Sequence, residues 1–360
     1  MPYVFVTRNC NLRCSYCLFK KKDAVLDENT FSKFLDFLDN IGMTKSDMRL
    51  VYSGGEALLY PKNILRFADI ISKRYPKANV TQAVITNLTI FNKEVFFDKR
   101  LDFCGSIDGT EESHNIYRSF CDGSHSHNIV LKNLRYLAAC KDEISINYTF
   151  IPDNIHADFI EFLKEIISIN PRIRWKFLIQ PAYKTLNVKN YRWLQDEMIK
   201  TAEFLISKAK KGNYISVDFF NSAIKGWYNQ KNGEINNKCG YAADLILLTP
   251  EGGIFPCSRA LVNNNPKIGN VNSPNGLVES SQRVMLREVI CQLKDNQSIG
   301  CGKTGSPISE TGKCSCNESQ ELLELITSKI IELLEKNLNK DELMKLHEKT
   351  KSKIKSEHDF

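Results

Sequence analysis

The chain has 360 residues, 42% of them hydrophobic and 25% charged, with a formal net charge of +7. This is a globular composition, long enough for two average domains or one large α/β domain with an extension, and it excludes a disordered or fibrous chain. Lysines are spread along the sequence apart from KKK at 20–22 and a lysine-rich end, so no nucleic-acid partner is expected. No secretory signal opens the chain and no apolar run approaches the roughly 20 residues of a membrane-spanning helix, so no membrane is expected and the expected compartment is the cytoplasm.

The first half alternates β-branched or aromatic runs with helical patterns. Strands are expected at YVFVT (3–7), MRLVYS (48–53), VTQAVIT (80–86), LDFCGSI (101–107), ISINYTFI (144–151) and IRWKFLI (173–179). Between them TFSKFLDFLDNI (30–41), KNILRFADIISKRY (62–75), IVLKNLRYLAAC (129–140) and DFIEFLKEIIS (158–168) repeat apolar residues at i, i+3, i+4 and i+7. Such alternation argues for a parallel sheet with helical crossovers. Six units are too few for a complete eight-fold barrel, which leaves an open doubly wound sheet or a partial barrel. After Gln180 the alternation stops. A helix is expected over DEMIKTAEFLISKAKK (196–211) and a hairpin over LILLTPEGGIFPC (245–257), with Pro250 and Gly252-Gly253 at its turn. Cysteine-bearing loops follow, then the amphipathic run ESQELLELITSKIIELLEKNL (318–338) and a lysine-rich tail. These shifts divide the chain into 1–185, 186–316 and 317–360.

The twelve cysteines are unevenly placed. Cytosolic thiols stay reduced, so a cysteine-rich cytosolic chain binds metal or uses its thiols chemically. Cys104, Cys121 and Cys140 are scattered and read as small hydrophobes. Cys10, Cys14 and Cys17 form a C-x₃-C-x₂-C triplet directly after the first strand. Structural zinc wants four ligands, and no second knuckle or histidine is near. Three thiolates on a [4Fe-4S] cluster would leave one iron open for a small chelating molecule. The triplet also sits at a strand's C-terminal end, where parallel α/β folds place their chemistry.

The triplet, with aromatic Tyr16 before its last cysteine, resembles the signature of the radical S-adenosylmethionine (SAM) enzymes. In that family the open iron binds the amino and carboxylate groups of SAM, and the reduced cluster cleaves it to methionine and a 5′-deoxyadenosyl radical. SGGEALL (53–59) looks like the family's glycine-glycine-glutamate motif, with Ala57 where proline is usual; the resemblance puts Gly54, Gly55 and Glu56 on the methionyl amino group. VITNLTIF (84–91) resembles the family's threonine-asparagine stretch at Asn87, with Leu88 where glycine is common. SIDGTEESHNIYRSF (106–120) is similar to the S-x-D-G…H-x-x-x-R stretch of the peptide-modifying branch. There the serine and arginine, here Ser106 and Arg118, bind SAM through its ribose and carboxylate. Asp108 joins them as a contact or a turn former, and His114 as a contact or a surface residue. Ile179, ending the sixth strand, completes the SAM set implied. Over the first 180 residues or so the resemblance implies a partial (β/α)₆ TIM-type barrel rather than a doubly wound sheet.

CGYAADLILLTPEGGIFPC (239–257) matches the opening of the SPASM extension, which carries auxiliary [4Fe-4S] clusters in such enzymes. Cys239 and Cys257 would anchor one. Cys291, Cys301, Cys314 and Cys316 depart from the SPASM spacing, and six thiolates cannot fully ligate two four-iron clusters. One auxiliary cluster with spare thiols, or two with an open or non-cysteine corner, both remain. The resemblance implies a precursor peptide or protein substrate, a low-potential electron donor of flavodoxin or ferredoxin type, and a peptide maturase that installs a cross-link or related oxidative change. Sulfatase-maturing relatives place an aspartate acceptor directly after the G-x₄-C cysteine, whereas Ser258 and Arg259 stand here, and serine is no base near neutral pH unaided. The chain begins just before its first strand, so leader recognition is expected at the barrel mouth, the C-terminal helix or a separate leader-binding protein. An electron-transfer protein or a zinc-stabilised binding protein are the other classes the cysteines allow.

Overall fold

The computed structural model describes residues 1–44, 47–151, 158–179, 188–232, 246–255, 261, 267–273 and 316–354. Six parallel strands, β1 (Pro2–Thr7), β2 (Met48–Gly54), β3 (Val80–Thr86), β4 (Leu101–Ser106), β5 (Ile144–Phe150) and β6 (Arg174–Ile179), lie side by side in chain order. That order never reverses, so the sheet has no switch point of the doubly wound kind. The crossovers contain α1 (Glu28–Asn40), α2 (Pro61–Arg74), α3 (Lys93–Phe97), α4 (Glu111–Tyr117), α5 (His127–Cys140) and α6 (Phe159–Ile169). Their neighbours in contact run α1 on α2, α2 on α3, α3 on α5 and α5 on α6, so this helical layer covers one side of the sheet. This is barrel winding, left unclosed, as the resemblance implied.

Local chemistry starts the helices where the sequence pattern put them. The Asp27 carboxylate caps α1 by accepting the Thr30 amide at 2.8 Å, and Asp158 caps α6 by accepting the Glu161 amide at 2.8 Å. Pro61 occupies the first turn of α2, where its missing N–H costs nothing. The main core lies between sheet and helices. Its densest part is aromatic: Tyr148, Phe159, Phe162 and Trp175 meet with ring centroids 5.3–5.6 Å apart, mostly edge to face.

Beyond the sixth strand run α7 (Val188–Lys210), α8 (Asp218–Asn232), β7 (Ile246–Leu248), β8 (Gly253–Phe255), β9 (Gly269–Asn270), α9 (Cys316–Asn337) and α10 (Lys340–Ile354). The expected hairpin is β7–β8, and it does more than fold back on itself. β7 pairs in parallel with β1 through Tyr3 and Leu247, so the nine strands form one sheet ordered 6-5-4-3-2-1-7-8-9. α8 was not expected from the sequence, and the lysine-rich tail is helical through α10. Gly226 lets α8 approach α9 closely: a Cβ there would stand 3.3 Å from Ile331 Cδ1. His347 of α10 stacks on Tyr228 at 3.8 Å, fastening the last helix to α8. Among the described residues no helix is long and apolar enough to cross a membrane.

Candidate functional site

Residues 8–27 leave the end of β1 and carry the three early cysteines. The start of this loop is tied to its own return: the Thr7 hydroxyl and the Arg8 amide both donate to Ala24 O, at 2.8 and 3.1 Å. Its middle is tied to the segment after α4. The Arg13 amide donates to Ser119 O at 2.7 Å, the Ser15 amide to Tyr117 O at 3.0 Å, and Leu12 bridges Phe120. Between those anchors the Cys17 amide donates to Cys14 O at 3.1 Å and closes a turn. Cys10 and Cys14 are half-buried, Cys17 is exposed, and all three are free thiols.

The glycine-glycine-glutamate stretch serves this loop from below. Gly54, at φ +129°, lies so close to β1 that a Cβ would stand 2.2 Å from Thr7 O; at Gly55 a Cβ would stand 2.0 Å from Asn9 O. The amides of Gly55 and Glu56 donate to Thr7 O and Asn9 O, each at 2.9 Å. The sequence reading had these glycines approach a ligand. They also let the end of β2 seat the backbone that leads into Cys10. Glu56 is fully buried, and its carboxylate accepts the Leu58 amide at 2.9 Å, the Thr86 hydroxyl at 2.8 Å and the Asn87 amide at 2.6 Å. Burial raises its pKa, and the donors from Asn87, Leu58 and Thr86 pull it back. Far from facing solvent, Glu56 clamps the ends of β2 and β3 together.

Asn87 follows β3. Its side-chain Nδ2 lies 3.8 Å from Cys10 Sγ and donates to Asn11 Oδ1 at 2.9 Å. The next residue explains the missing glycine: Leu88 has φ +57°, the left-handed conformation glycine adopts freely. The Asn133 side chain holds its carbonyl at 2.8 Å, and its own side chain fills the space over Gly105, where a Cβ would meet Leu88 Cδ1 at 2.2 Å.

Asp108 and Arg118 close the other side. The Tyr16 hydroxyl donates to Asp108 Oδ2 at 2.5 Å, while Arg118 Nη1 donates to Tyr16 Oη and, at 3.3 Å, to Asp108 Oδ2. The second Asp108 oxygen accepts the Thr149 amide at 2.8 Å. The guanidinium carbon stands 5.9 Å from the Tyr16 ring centre. Arg118 is only 7% exposed, and its Nε has no hydrogen-bond partner among the described residues. His114 is fully buried rather than on the surface. Its Nδ1 accepts the Asp108 amide at 3.1 Å, which puts its proton on Nε2, 2.9 Å from Ser126 Oγ; that hydroxyl donates to Arg118 O at 2.7 Å. Burial, then the charges of Arg118 and His127, hold His114 well below its ordinary pKa. A neutral histidine thus links the backbones of Asp108 and Arg118. Ser106 lies half-buried at the end of β4, opposite Asn147 of β5.

The donors fit an iron–sulfur cluster. Burial pushes the Cys10 thiol up to about 11 and also raises Cys14, whose neighbour Arg118 favours the thiolate. A metal must therefore displace protons here, as thiolate ligation requires. Cys10 and Cys14 interact electrostatically, as do Cys14 and Cys17, yet among the described residues no three such groups converge tightly enough to grip a single ion. A [4Fe-4S] cluster would take one iron per cysteine from this triplet. The orphaned Arg118 Nε suits a carboxylate ligand beside it.

Cys239, Cys257, Cys291, Cys301 and Cys314 lie outside the described residues, as do Ser258 and Arg259. Cys316 opens α9 and Ile179 ends β6, but their side chains also lie outside. One group escaped the sequence reading. Lys176 of β6, Arg49 of β2 and Arg174 of β6 lie within electrostatic reach of Cys104, with Asp218 beside them and Asp102 3.2 Å from Arg49. Burial lowers the Lys176 pKa, against the pull of Cys104 and Asp218. The available signal was a lysine inside the apolar run IRWKFLI, where a buried parallel strand normally carries none.

Residues 4–166 match the model of the radical SAM superfamily. Over 298 residues the chain is 24% identical to a serine-type anaerobic sulfatase-maturating enzyme of Bacteroides thetaiotaomicron, covering 73% of this chain and 70% of that one. It is 29% identical over 282 residues to an uncharacterised protein of Methanocaldococcus jannaschii, covering 75% and 88%. Among solved structures, anSMEcpe with bound AdoMet superposes with a TM-score of 0.70 at 15% identity, covering 96% of this chain and 98% of that one. SuiB of Streptococcus suis, bound to precursor peptide SuiA, gives a TM-score of 0.53 at 13% identity, covering 76% and 62%. The family's cofactors are a [4Fe-4S] cluster and SAM. With the cysteine triplet seated at the end of the first strand of an open barrel, residues 4–166 form a radical SAM domain.

Proposed function

We propose that this enzyme, acting in the cytoplasm, modifies a ribosomally made precursor peptide, installing a cross-link or related oxidative change. The carrying observation is the fold shared along nearly the whole chain with anSMEcpe, a structure of which holds the Cp18Cys peptide. SuiB with its precursor SuiA supports the same substrate class. Cys10, Cys14 and Cys17 would hold a [4Fe-4S] cluster, which would supply the electron for reductive cleavage of SAM. The chain's own residues fix the geometry. Gly54, Gly55 and Glu56 seat the cysteine loop, Asn87 Nδ2 faces Cys10 Sγ, and Arg118 Nε would offer a donor to the SAM carboxylate, with Ser106 at the end of β4 for the ribose. Cys239, Cys257, Cys291, Cys301, Cys314 and Cys316 would hold one or two auxiliary clusters able to take up the electron left on the product. Partners on this reading are a low-potential flavodoxin or ferredoxin and a separate leader-binding protein.

The curated relatives favour a second reading, formylglycine formation on a sulfatase. Against it stands Ser258 where those enzymes carry an acid after the G-x₄-C cysteine. Anaerobic incubation with SAM, dithionite and either a neighbouring-gene precursor peptide or a sulfatase-motif peptide separates the two by high-resolution mass spectrometry. The proposal expects 5′-deoxyadenosine in both reactions and modification of the precursor alone. A formylglycine on the sulfatase peptide overturns it. A Cys10/Cys14/Cys17→Ala variant should keep surplus iron; loss of all iron would remove the auxiliary clusters.

A further inference from the structure

A reductive site needs an electron from outside, and the cysteine loop meets solvent at Cys17. Directly after it come Leu18, Phe19 and three exposed lysines, Lys20, Lys21 and Lys22. Lys21 belongs to the loop itself: its amine donates to Cys10 O at 3.0 Å. The others belong to a basic cavity of about 480 Å³ between this segment and the β7–β8 hairpin. Among the described residues its lining includes Arg8, Lys20, Lys22 and Lys267 against a single acid, Glu251. Glu251 Oε1 is shared by Arg8 at 3.3 Å and Lys22 at 3.1 Å. Lys20 and Lys267 have no ion pair among the described residues, so the face keeps a positive excess. Phe19 lines it and packs edge-on against Phe5 of β1, ring centres 5.2 Å apart.

We propose that this face docks an acidic one-electron donor protein carrying a flavin or iron–sulfur centre, an inference that rests on the radical SAM chemistry assigned to the cysteine triplet. The donor's reduced centre loses one electron and the cluster on Cys10, Cys14 and Cys17 gains it; no bond forms and no proton moves. Electron-transfer encounters use small interfaces and are steered by opposite charge, which suits a charged rim around an apolar floor. The patch begins within three residues of Cys17, so a docked donor needs little protein between its centre and the cluster.

The test uses the reconstituted full-length enzyme and oxidised flavodoxin, followed by anaerobic calorimetry at low and high salt. Lys20→Glu/Lys267→Glu should weaken flavodoxin binding about ten-fold at low salt and flatten its salt dependence. Flavodoxin-driven 5′-deoxyadenosine formation should slow in parallel, while the dithionite-driven rate stays at the wild-type value. Glu251→Gln releases Arg8 and Lys22 and should tighten binding, a gain that no folding defect imitates. Unchanged flavodoxin affinity in both variants overturns the proposal. So does a charge-reversed variant that binds flavodoxin normally but loses affinity for an acidic precursor peptide, which would make this a leader-docking face. Absence of 5′-deoxyadenosine from wild type with dithionite would instead sink the underlying chemistry, whatever flavodoxin does.

Discussion

Replacing Gly55 with alanine would drive a methyl group into the backbone that seats the cysteine loop. The new Cβ would lie 2.0 Å from Asn9 O and 2.6 Å from Asn9 C, where contacts under 3.0 Å essentially never occur. Both atoms are main chain, so no rotamer change relieves the clash, and the loop must retreat by about 1 Å. That retreat breaks the 2.9 Å bonds from Gly55 N to Thr7 O and from Glu56 N to Asn9 O. Two lost backbone bonds cost about 1 kcal/mol each, and the strain of overpacking adds about 1–3 kcal/mol, for a total of about 3–5 kcal/mol. Asn9 immediately precedes Cys10, so the same movement displaces the first iron ligand. Iron and sulfide per chain after anaerobic reconstitution, beside a urea unfolding curve, report both effects. Gly123→Ala serves as the comparison: unlike Gly55 it sits at positive φ, +90°, but nothing lies within 4 Å of its Cβ. That change should cost about 1–2 kcal/mol of backbone strain and leave iron untouched. A Gly55→Ala enzyme with wild-type iron and a wild-type unfolding midpoint would refute the seating role.

Arg118→Met should leave the buried Asp108 carboxylate without its cation, costing about 3–5 kcal/mol in urea unfolding, and should also weaken SAM binding measured by calorimetry. Leu88→Gly should be less damaging than Leu88→Ala, although it removes more of the side chain. Alanine keeps the strain of φ +57° while glycine relieves about 1 kcal/mol of it, and paired melting curves give the order. His114 and His127 both have folded-state pKa values below the unfolded 6.5, so the unfolded chain takes up protons that the native chain refuses. Their contribution to stability is full above that value and falls as pH drops through it, by up to about 1.4 kcal/mol per unit for each histidine. His114→Asn keeps an acceptor for the Asp108 amide and should flatten the decline in unfolding midpoint between about pH 6.5 and pH 5.5; an unchanged slope would mean that His114 is charged in the native state.

The six βα units were legible because parallel strands covered by helices read as continuous apolar runs, and amphipathic helices keep their own period. α8 was not, since Gly226, Trp227 and its asparagines blur that period, and only contact with α9 stabilises the close approach at Gly226. The parallel pairing of β7 with β1 was equally invisible. A three-residue strand carries no local mark of which distant edge it will join. At the site, residue types marked the cysteines, Tyr16 and Arg118 as candidates, but not which groups would be bonded to the protein itself. Glu56 and His114 look like ligand-facing polar residues in the chain. Their full burial comes from Thr86, Asn87 and Ser126, whose positions depend on the completed sheet. Leu88 was legible only as a departure, and the cavity over Gly105 that accommodates it lies on another strand.

The brace between the cysteine loop and the segment after α4 also sets the timing of biogenesis. Lys21 and its partner Cys121 are 100 residues apart, and the amides of Arg13 and Ser15 find their acceptors only in Ser119 and Tyr117. A ribosome therefore releases all three thiols long before the chain that will hold them exists. Closing so long a loop waits for the first four strands to assemble, because nonlocal contacts come late in folding. During that interval the nascent thiols are unguarded against stray metals and oxidants. A nascent chain stalled before Tyr117 would present the full C-x₃-C-x₂-C triplet yet lack the brace that shapes it.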